Sequence, residues 1–398
     1  MSERCRFIEA WLAQRESIVA LCAQFGISEK TGHKFLRRFR ESGPAGLAER
    51  SHAAHTRPQR VPPARVERIL ALRRAHPLYG PALLRDWLRL HEPEVPWPAA
   101  STIGVLLTRA GLVAPRRRRR DPLAARLLTE RTAATAPNRV WTADFKGEFV
   151  VGTGARAPYC YPLTVLDLHS HFLLGCVALA STRVTSTRAR FETLFRTYGL
   201  PDVLRTDNGV PFAHPQALGR LGRLAFWWVR LGIRPEHTPP GCPAANGAHE
   251  RFHRTLKAHT AQPPAASLEA QQRRFTAFQQ EYNRERPHTS VPAHRPPAAL
   301  YTPSLRPYPT RRPTLEYATG TLVRRVAGDG HIKVHGTRLF LSTCLAGEPV
   351  GLTQRADGQL TIAYGALALG EFDLAQQRFH PQVRWYAPTP VAEEPPPR

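Results

Sequence analysis

Three carboxylates stand where a charge needs a reason. Asp144 falls inside VWTADFKG, a stretch that alternates like a strand. A charged side chain among Val140, Trp141 and Phe145 is costly to bury unless it is paired or holds a cation. Asp207 closes the short apolar run DVLRT and is followed by Asn208-Gly209, a pair suited to a tight turn. Loops after strand ends are where sites form. Glu250 lies in NGAHERFHRTLK, in the first turn of an expected helix, with Arg254 at i+4 and Lys257 at i+7 on its face. Three hard oxygen donors suit magnesium or manganese. Two such ions about 3.5–4 Å apart stabilise the attacking and leaving oxygens of an in-line displacement at phosphorus. One at a time, each residue has a plainer reading: a salt-bridged strand Asp, a common DNG turn, a Glu placed by the helix dipole. The joint pattern carries the argument. His237, His249 and His253 fall nearby. A general-base role is open to them, although a metal-activated water needs none. His253, one turn from Glu250, is read as a DNA contact together with Arg254 and Lys257.

Carboxylates from a strand, a strand end and a helix converge only if a fold brings them together. From about 138 the pattern is strand-like: NRVWTADFKGEFV, YCYPLTVLDLHS and HFLLGCVALA, separated by turn signals, read as adjacent antiparallel strands. TSTRARFETLFRTYG is helical, DVLRT is a buried strand, and 215–231 is again helical. A strand near IRPEHTP, a loop, the HERFHRTLKAHT helix and a long helix, SLEAQQRRFTAFQQEYNRE, close the region. That order predicts an α/β ribonuclease-H-like core over 138–288, with a mixed sheet flanked by helices.

The flanking segments read differently. Residues 1–48 hold three short helices with a turn at Gly26 and a cap at Ser28, the helix-turn-helix pattern. Its last helix would present Lys30, Thr31, Lys34, Arg37 and Arg38 to DNA. A linker at 49–63 leads to a second helical unit at 64–113, whose last helix is expected to be capped by Ser101. An Arg-rich linker at 114–137 carries Arg116, Arg117, Arg118, Arg119 and Arg120 without interruption, a run that stays solvated or lies along phosphates. A Pro/Arg-rich connector at 289–313 precedes a small all-β domain, read as a barrel, at 314–385. The tail 386–398 is expected to be disordered.

Charge points the same way. The 398 residues carry 56 Lys and Arg against 31 Asp and Glu, a net +25. Such a field draws polyanions, and double-stranded DNA is the expected partner. The six cysteines are scattered, with no zinc-ligand spacing and no disulfide framework expected in a chain this long. The opening MSERCRFIEAWLAQ has no apolar signal region, and FLLGCVALA is too short to span a bilayer. A soluble, cytoplasmic protein is expected.

The pieces WTADFKG at 141–147, VLDLHS at 165–170, RTDNG at 205–209, PAANGAHERFHRTLK at 243–257 and YNRERPH at 282–288 occur in one order. In that order they resemble the integrase core of bacterial insertion-sequence transposases, in the retroviral integrase superfamily. The resemblance implies that Asp144, Asp207 and Glu250 are the catalytic metal ligands, for Mg²⁺ or Mn²⁺ and two ions. It implies that Lys257 contacts the DNA end and that the helix-turn-helix units bind terminal inverted repeats. It further implies 3′-end cleavage followed by strand transfer, by at least a dimer. Two departures stand out. Glu250 follows Asp207 by 43 residues, longer than is usual, and the extra length is assigned to the helix with Trp227 and Trp228. Where the family often has an Asp-Asp pair, this chain has Asp167-Leu168, and Asp167 is read as structural. The alternative to an active transposase is a catalytically silent DNA-binding regulator or decayed element. A nuclease for RNA:DNA hybrids fits the paired helix-turn-helix units poorly, because those suit a duplex major groove.

Overall fold

The computed structural model describes residues 3–49, 61–113, 131–153, 157–238, 247–261, 263–355 and 358–385. The run Arg116–Arg120 and the tail 386–398 lie outside them, as do the side chains of residues 247, 248, 250 and 251. The chain divides into two compact units, Met1–Pro62 and Pro63–Arg398.

The first unit is helical: α1 (Glu3–Leu12), α2 (Ile18–Gln24) and α3 (Glu29–Ser42). Ser17 and Ser28 cap α2 and α3, accepting from the backbone N–H groups of Ala20 and Thr31. Gly26, at φ +63°, makes the turn between them. Phe7, Ile8, Leu21, Cys22, Phe35 and Leu36 bury one face of each helix in a common core. The basic face of α3 is left outward, which is the helix-turn-helix arrangement.

The second unit opens with α4 (Pro63–Ala75), α5 (Pro81–His91) and α6 (Ala100–Arg109), packed around Ile69, Tyr79, Leu84, Leu88, Ile103 and Leu107. The expected Ser101 cap is not used. Helix α6 starts two residues earlier, so Ser101 sits in its first turn and Ala99 holds the cap position.

The core sheet contains β1 (Val140–Phe145), β2 (Phe149–Val150), β3 (Tyr159–Asp167) and β4 (Leu173–Leu179). After α7 (Val184–Tyr198) come β5 (Val203–Thr206), α8 (Arg223–Arg230) and β6 (Arg234–His237). Strand β3 runs antiparallel between β1 and β4, and β2 pairs with its start. Strands β5 and β6 continue the sheet parallel to β1. This is the mixed sheet of a ribonuclease-H-like core. On one face Trp141, Ala143, Leu163, Val165 and Leu204 pack against α7 and α8. On the other, Cys160, Leu166 and Cys176 meet Phe252 and Leu256 of α9 (Gly247–Thr260) and Phe275 and Phe278 of α10 (Leu268–Arg284).

Two expectations change here. Residues 215–231 are not one helix. Gly219, at φ +57°, breaks the turn, and Gly222 caps α8. Nor is the helix with Trp227 and Trp228 an insertion. Strands β5 and β6 are parallel, and parallel neighbours require a crossover, which α8 supplies.

The connector after α10 is pinned to the core. Leu200 N–H donates to the Arg306 carbonyl, Ser304 N–H to the Tyr198 carbonyl, and Tyr301 Oη to Asn138. The all-β end comprises β7 (Leu322–Arg325), β8 (His331–Val334), β9 (Thr337–Phe340), β10 (Pro349–Gln354), β11 (Gln359–Tyr364), β12 (Leu367–Asp373) and β13 (Arg378–Trp385). Its described strands form an open five-stranded antiparallel sheet, β13-β12-β11-β10-β7, and a separate β8-β9 hairpin. Its core is continuous with that of the mixed-sheet region through α8.

Candidate functional site

Strand register sets the site. In the parallel pair β1–β5, Ala143 lies beside Thr206. One further step places Asp144 beside Asp207, on strands about 4.8 Å apart. Alternation puts Thr142 and Asp144 on the face opposite Trp141 and Ala143, towards α9. Asp207, two positions after Arg205, falls at a position of that same face. Its Oδ1 accepts from Gly209 N–H at 3.0 Å. A Cβ at 209 would stand 2.9 Å from Oδ2, so glycine there gives the carboxylate room.

Helix α9 is fastened over this face by two histidines. His249 is fully buried, and its Nδ1 lies 3.2 Å from Thr142 Oγ1. His253 Nε2 is 2.8 Å from Thr164 Oγ1, which itself donates to the Asp144 carbonyl at 3.1 Å. That donation leaves Thr164 to accept from His253 Nε2–H. Nδ1 of the same ring is then the unprotonated nitrogen, 3.8 Å from Asp144 Oδ2. Burial, followed by the nearby Lys146 charge, pulls the His253 imidazole down to about 3. Burial and then the His253 ring hold His249 well below its ordinary value. Both rings are neutral near pH 7 and bring no positive charge to Asp144. A half-buried carboxylate beside neutral imidazoles, with a second carboxylate on the neighbouring strand end, fits a hard divalent cation. Among the described residues no group of three or more metal-ligating side chains stands together. The Glu250 side chain lies outside that description. By helical spacing its backbone position falls on the flank of α9 that carries the exposed Arg254 and Lys257.

His253 is a correction. The expected DNA contact is 7% exposed, with both ring nitrogens turned to protein atoms, because the helix packs its 249, 252, 253 and 256 face on the sheet. Lys30, Lys34 and Arg37 are exposed on α3, and Arg38 is half-buried. The Thr31 hydroxyl is engaged at 2.9 Å with Ser28 Oγ in the cap. Lys146 went unread in the sequence. It is half-buried two residues after Asp144 and shares a cavity of about 260 Å³ with Lys257. A lysine at i+2 from a strand carboxylate was the available signal. Asp167 is fully buried: Oδ1 accepts from the Ser170 N–H and Oγ–H, and Oδ2 from the Asn138 N–H. That is a structural partner set. Among the described residues no helix is long and apolar enough to cross a membrane.

Residues 134–243 match a model of the integrase core domain, and 231–296 match a second integrase core domain model. Residues 3–55 match a helix-turn-helix domain and 31–107 a homeodomain-like domain. Among solved structures, the chain is similar to one in the simian T-cell lymphotropic virus intasome in complex with PP2A regulatory subunit B56 gamma. That pair is 16% identical over 74% of this chain and 91% of the other, with a TM-score of 0.35. The HTLV-2 integrase catalytic core domain in complex with magnesium is 14% identical over 42% and 99%, with a TM-score of 0.33. The BIV integrase catalytic core is 18% identical over 41% and 93%, at 0.31. Helix-turn-helix and homeodomain-like domains within residues 3–107 therefore precede an integrase core domain within 134–296.

Proposed function

We propose that the chain cuts the 3′ ends of a mobile element and joins them to target DNA, with Asp144, Asp207 and Glu250 as the carboxylates that hold two divalent cations, Mg²⁺ or Mn²⁺. The observation that supports this reading is the β1–β5 register, in which Ala143 pairs with Thr206 one step before Asp144 and Asp207, on the sheet that α9 covers. When bound, the ions would stabilise charge on the attacking, leaving and phosphoryl oxygens. His249 and His253 keep α9 against the sheet and so keep position 250 at the carboxylates. Arg254, Lys257 and Lys146 supply positive charge for the phosphates beside the cut. In the first step water attacks the scissile phosphorus and the 3′-oxygen leaves. In the second, that freed 3′-hydroxyl attacks a target phosphorus in line and the target strand's own 3′-oxygen leaves, so no protein–DNA covalent bond forms. The two helical units bind the terminal inverted repeats, with Lys30, Lys34, Arg37 and Arg38 on the first recognition helix. The Arg116–Arg120 run lies along the backbone. Pairing two ends requires at least a dimer.

The test is strand transfer on duplexes carrying the element's ends, with Mg²⁺ present. Asp144→Asn, Asp207→Asn and Glu250→Gln should each lose transfer by at least about a thousandfold while binding ends as wild type does. Full transfer by any of the three would sink the assignment. A wild-type chain that binds ends and never cuts them is the silent regulator instead.

A further inference from the structure

A cavity of about 370 Å³ opens beside the catalytic face, between the end of β3, α9, the residues after α10, and α5 of the second helical unit. Its walls are largely apolar and aromatic, including Leu83, Leu166, Phe252 and Tyr282. Two nitrogens in residues that line it are buried and have no hydrogen-bond partner among the described residues: Nε2 of the fully buried His249 and Nη1 of Arg286. Buried polar atoms are nearly always paired, so two orphans within residues that line one space suit a ligand that brings its own polar atoms. Asp167 also borders the cavity, but its oxygens are taken by Ser170 and Asn138. It offers the occupant nothing.

The shape and chemistry select among ligands. A phosphate is small for this volume and would leave water for a mostly apolar space. A nucleobase has flat apolar faces for the aromatic walls and donors and acceptors only along its edges. The place suits it too. Thr142 lines the cavity and stands two residues before Asp144 on the same strand face, about 6.6 Å along the strand. That is within the reach of one nucleotide from a phosphate held at Asp144. We propose that this cavity takes one unstacked nucleobase of the DNA strand being cut, its faces against Phe252 and Tyr282, with a shift of the His249 and Arg286 side chains bringing their unpaired nitrogens to its polar edge. The inference rests on the cleavage reading above.

The experiment measures affinity of the full chain for end duplexes in which one nucleotide beside the cut has lost its pairing base, position by position. Extruding a base costs least when it is already unpaired, so one position should bind roughly tenfold tighter than the intact duplex. Leu83→Trp fills the cavity from α5 and should bring that ratio close to one. Thr289→Trp fills it from an exposed rim position and gives the same readout if Leu83→Trp disturbs the helical unit. No tightening at any position, or a ratio that survives in the filled variants, overturns the proposal. Failure of the wild-type chain to bind ends at all would instead overturn the functional reading.

Discussion

Asp144 and Asp167 are both aspartates of the sheet's antiparallel strand pair, yet their surroundings differ. Asp167 accepts three hydrogen bonds in full burial, two from backbone N–H groups. Asp167→Asn would turn an amide N–H₂ against donors. It should destabilise the core by about 2–3 kcal/mol, read as a lower urea midpoint at neutral pH. Asp144 is only half-buried, and Asp144→Asn keeps its size. The urea midpoint of that variant should stay near wild type while transfer is lost. Thr164 is the hinge between strand and helix. Thr164→Val would leave His253 Nε2 buried without an acceptor, at a cost of about 1–3 kcal/mol. An unchanged urea midpoint would show that Thr164 does not hold the histidine. The aspartates were legible in the sequence because a charge among apolar strand residues is conspicuous. The burial of His253 was not, because it depends on which face of α9 meets the sheet.

Among the elements, α8 does more than bridge two strands. Each residue from Leu224 to Arg230 is buried, because α7 and the sheet cover one side and the all-β end covers the other. Phe191 meets Trp228 edge-on at 5.3 Å, and Phe226 meets Tyr364 at 5.5 Å. Arg230 pairs with Glu348 and donates to Tyr364 Oη at 3.2 Å and to the Pro313 carbonyl at 2.8 Å. Trp228→Ala should cost about 3–5 kcal/mol, and calorimetry should show the core and the all-β end losing stability together. Independent transitions would contradict a shared core. Gly199 tests the connector. It caps α7 at φ +77°, and a Cβ there would lie 2.7 Å from the Ser304 carbonyl and 2.8 Å from that of Arg306. Gly199→Ala should cost at least about 2 kcal/mol, of which the left-handed conformation alone accounts for about 1–2. The strand and helix order could be read from periodicity and turn residues. The α8 contacts could not, since Arg230 and Glu348 are joined only by the folded path.

At the scale of the whole molecule, charge and attachment matter most. A net +25 predicts DNA affinity that falls steeply with salt. Replacing Arg116–Arg120 by serine should flatten the log–log salt dependence by roughly 0.9 for every phosphate that the run neutralises. A salt titration that keeps its slope would remove the run from the interface. The second helical unit is fixed to the core rather than tethered. Tyr79 Oη donates to Glu281 at 3.0 Å, His76 Nδ1 lies 3.2 Å from the same carboxylate, and His294 Nδ1 meets the buried Asp86 at 2.8 Å. Arg286 lies over the Tyr79 ring at 5.4 Å. DNA held by this unit would therefore meet the Asp144 face of the sheet at a set distance.

The sequence alone determined an integrase core behind helix-turn-helix domains and the order of the core elements. Those depend on local pattern: period-two alternation, turn residues at strand ends, and charges in apolar settings. Only the tertiary structure decided that Ala143 pairs with Thr206, one step before Asp144 and Asp207, that His253 is buried and fastens α9 to the sheet, and that α8 is a crossover seated in a shared core. Each of these depends on which distant surfaces meet, and no spacing along one chain encodes that.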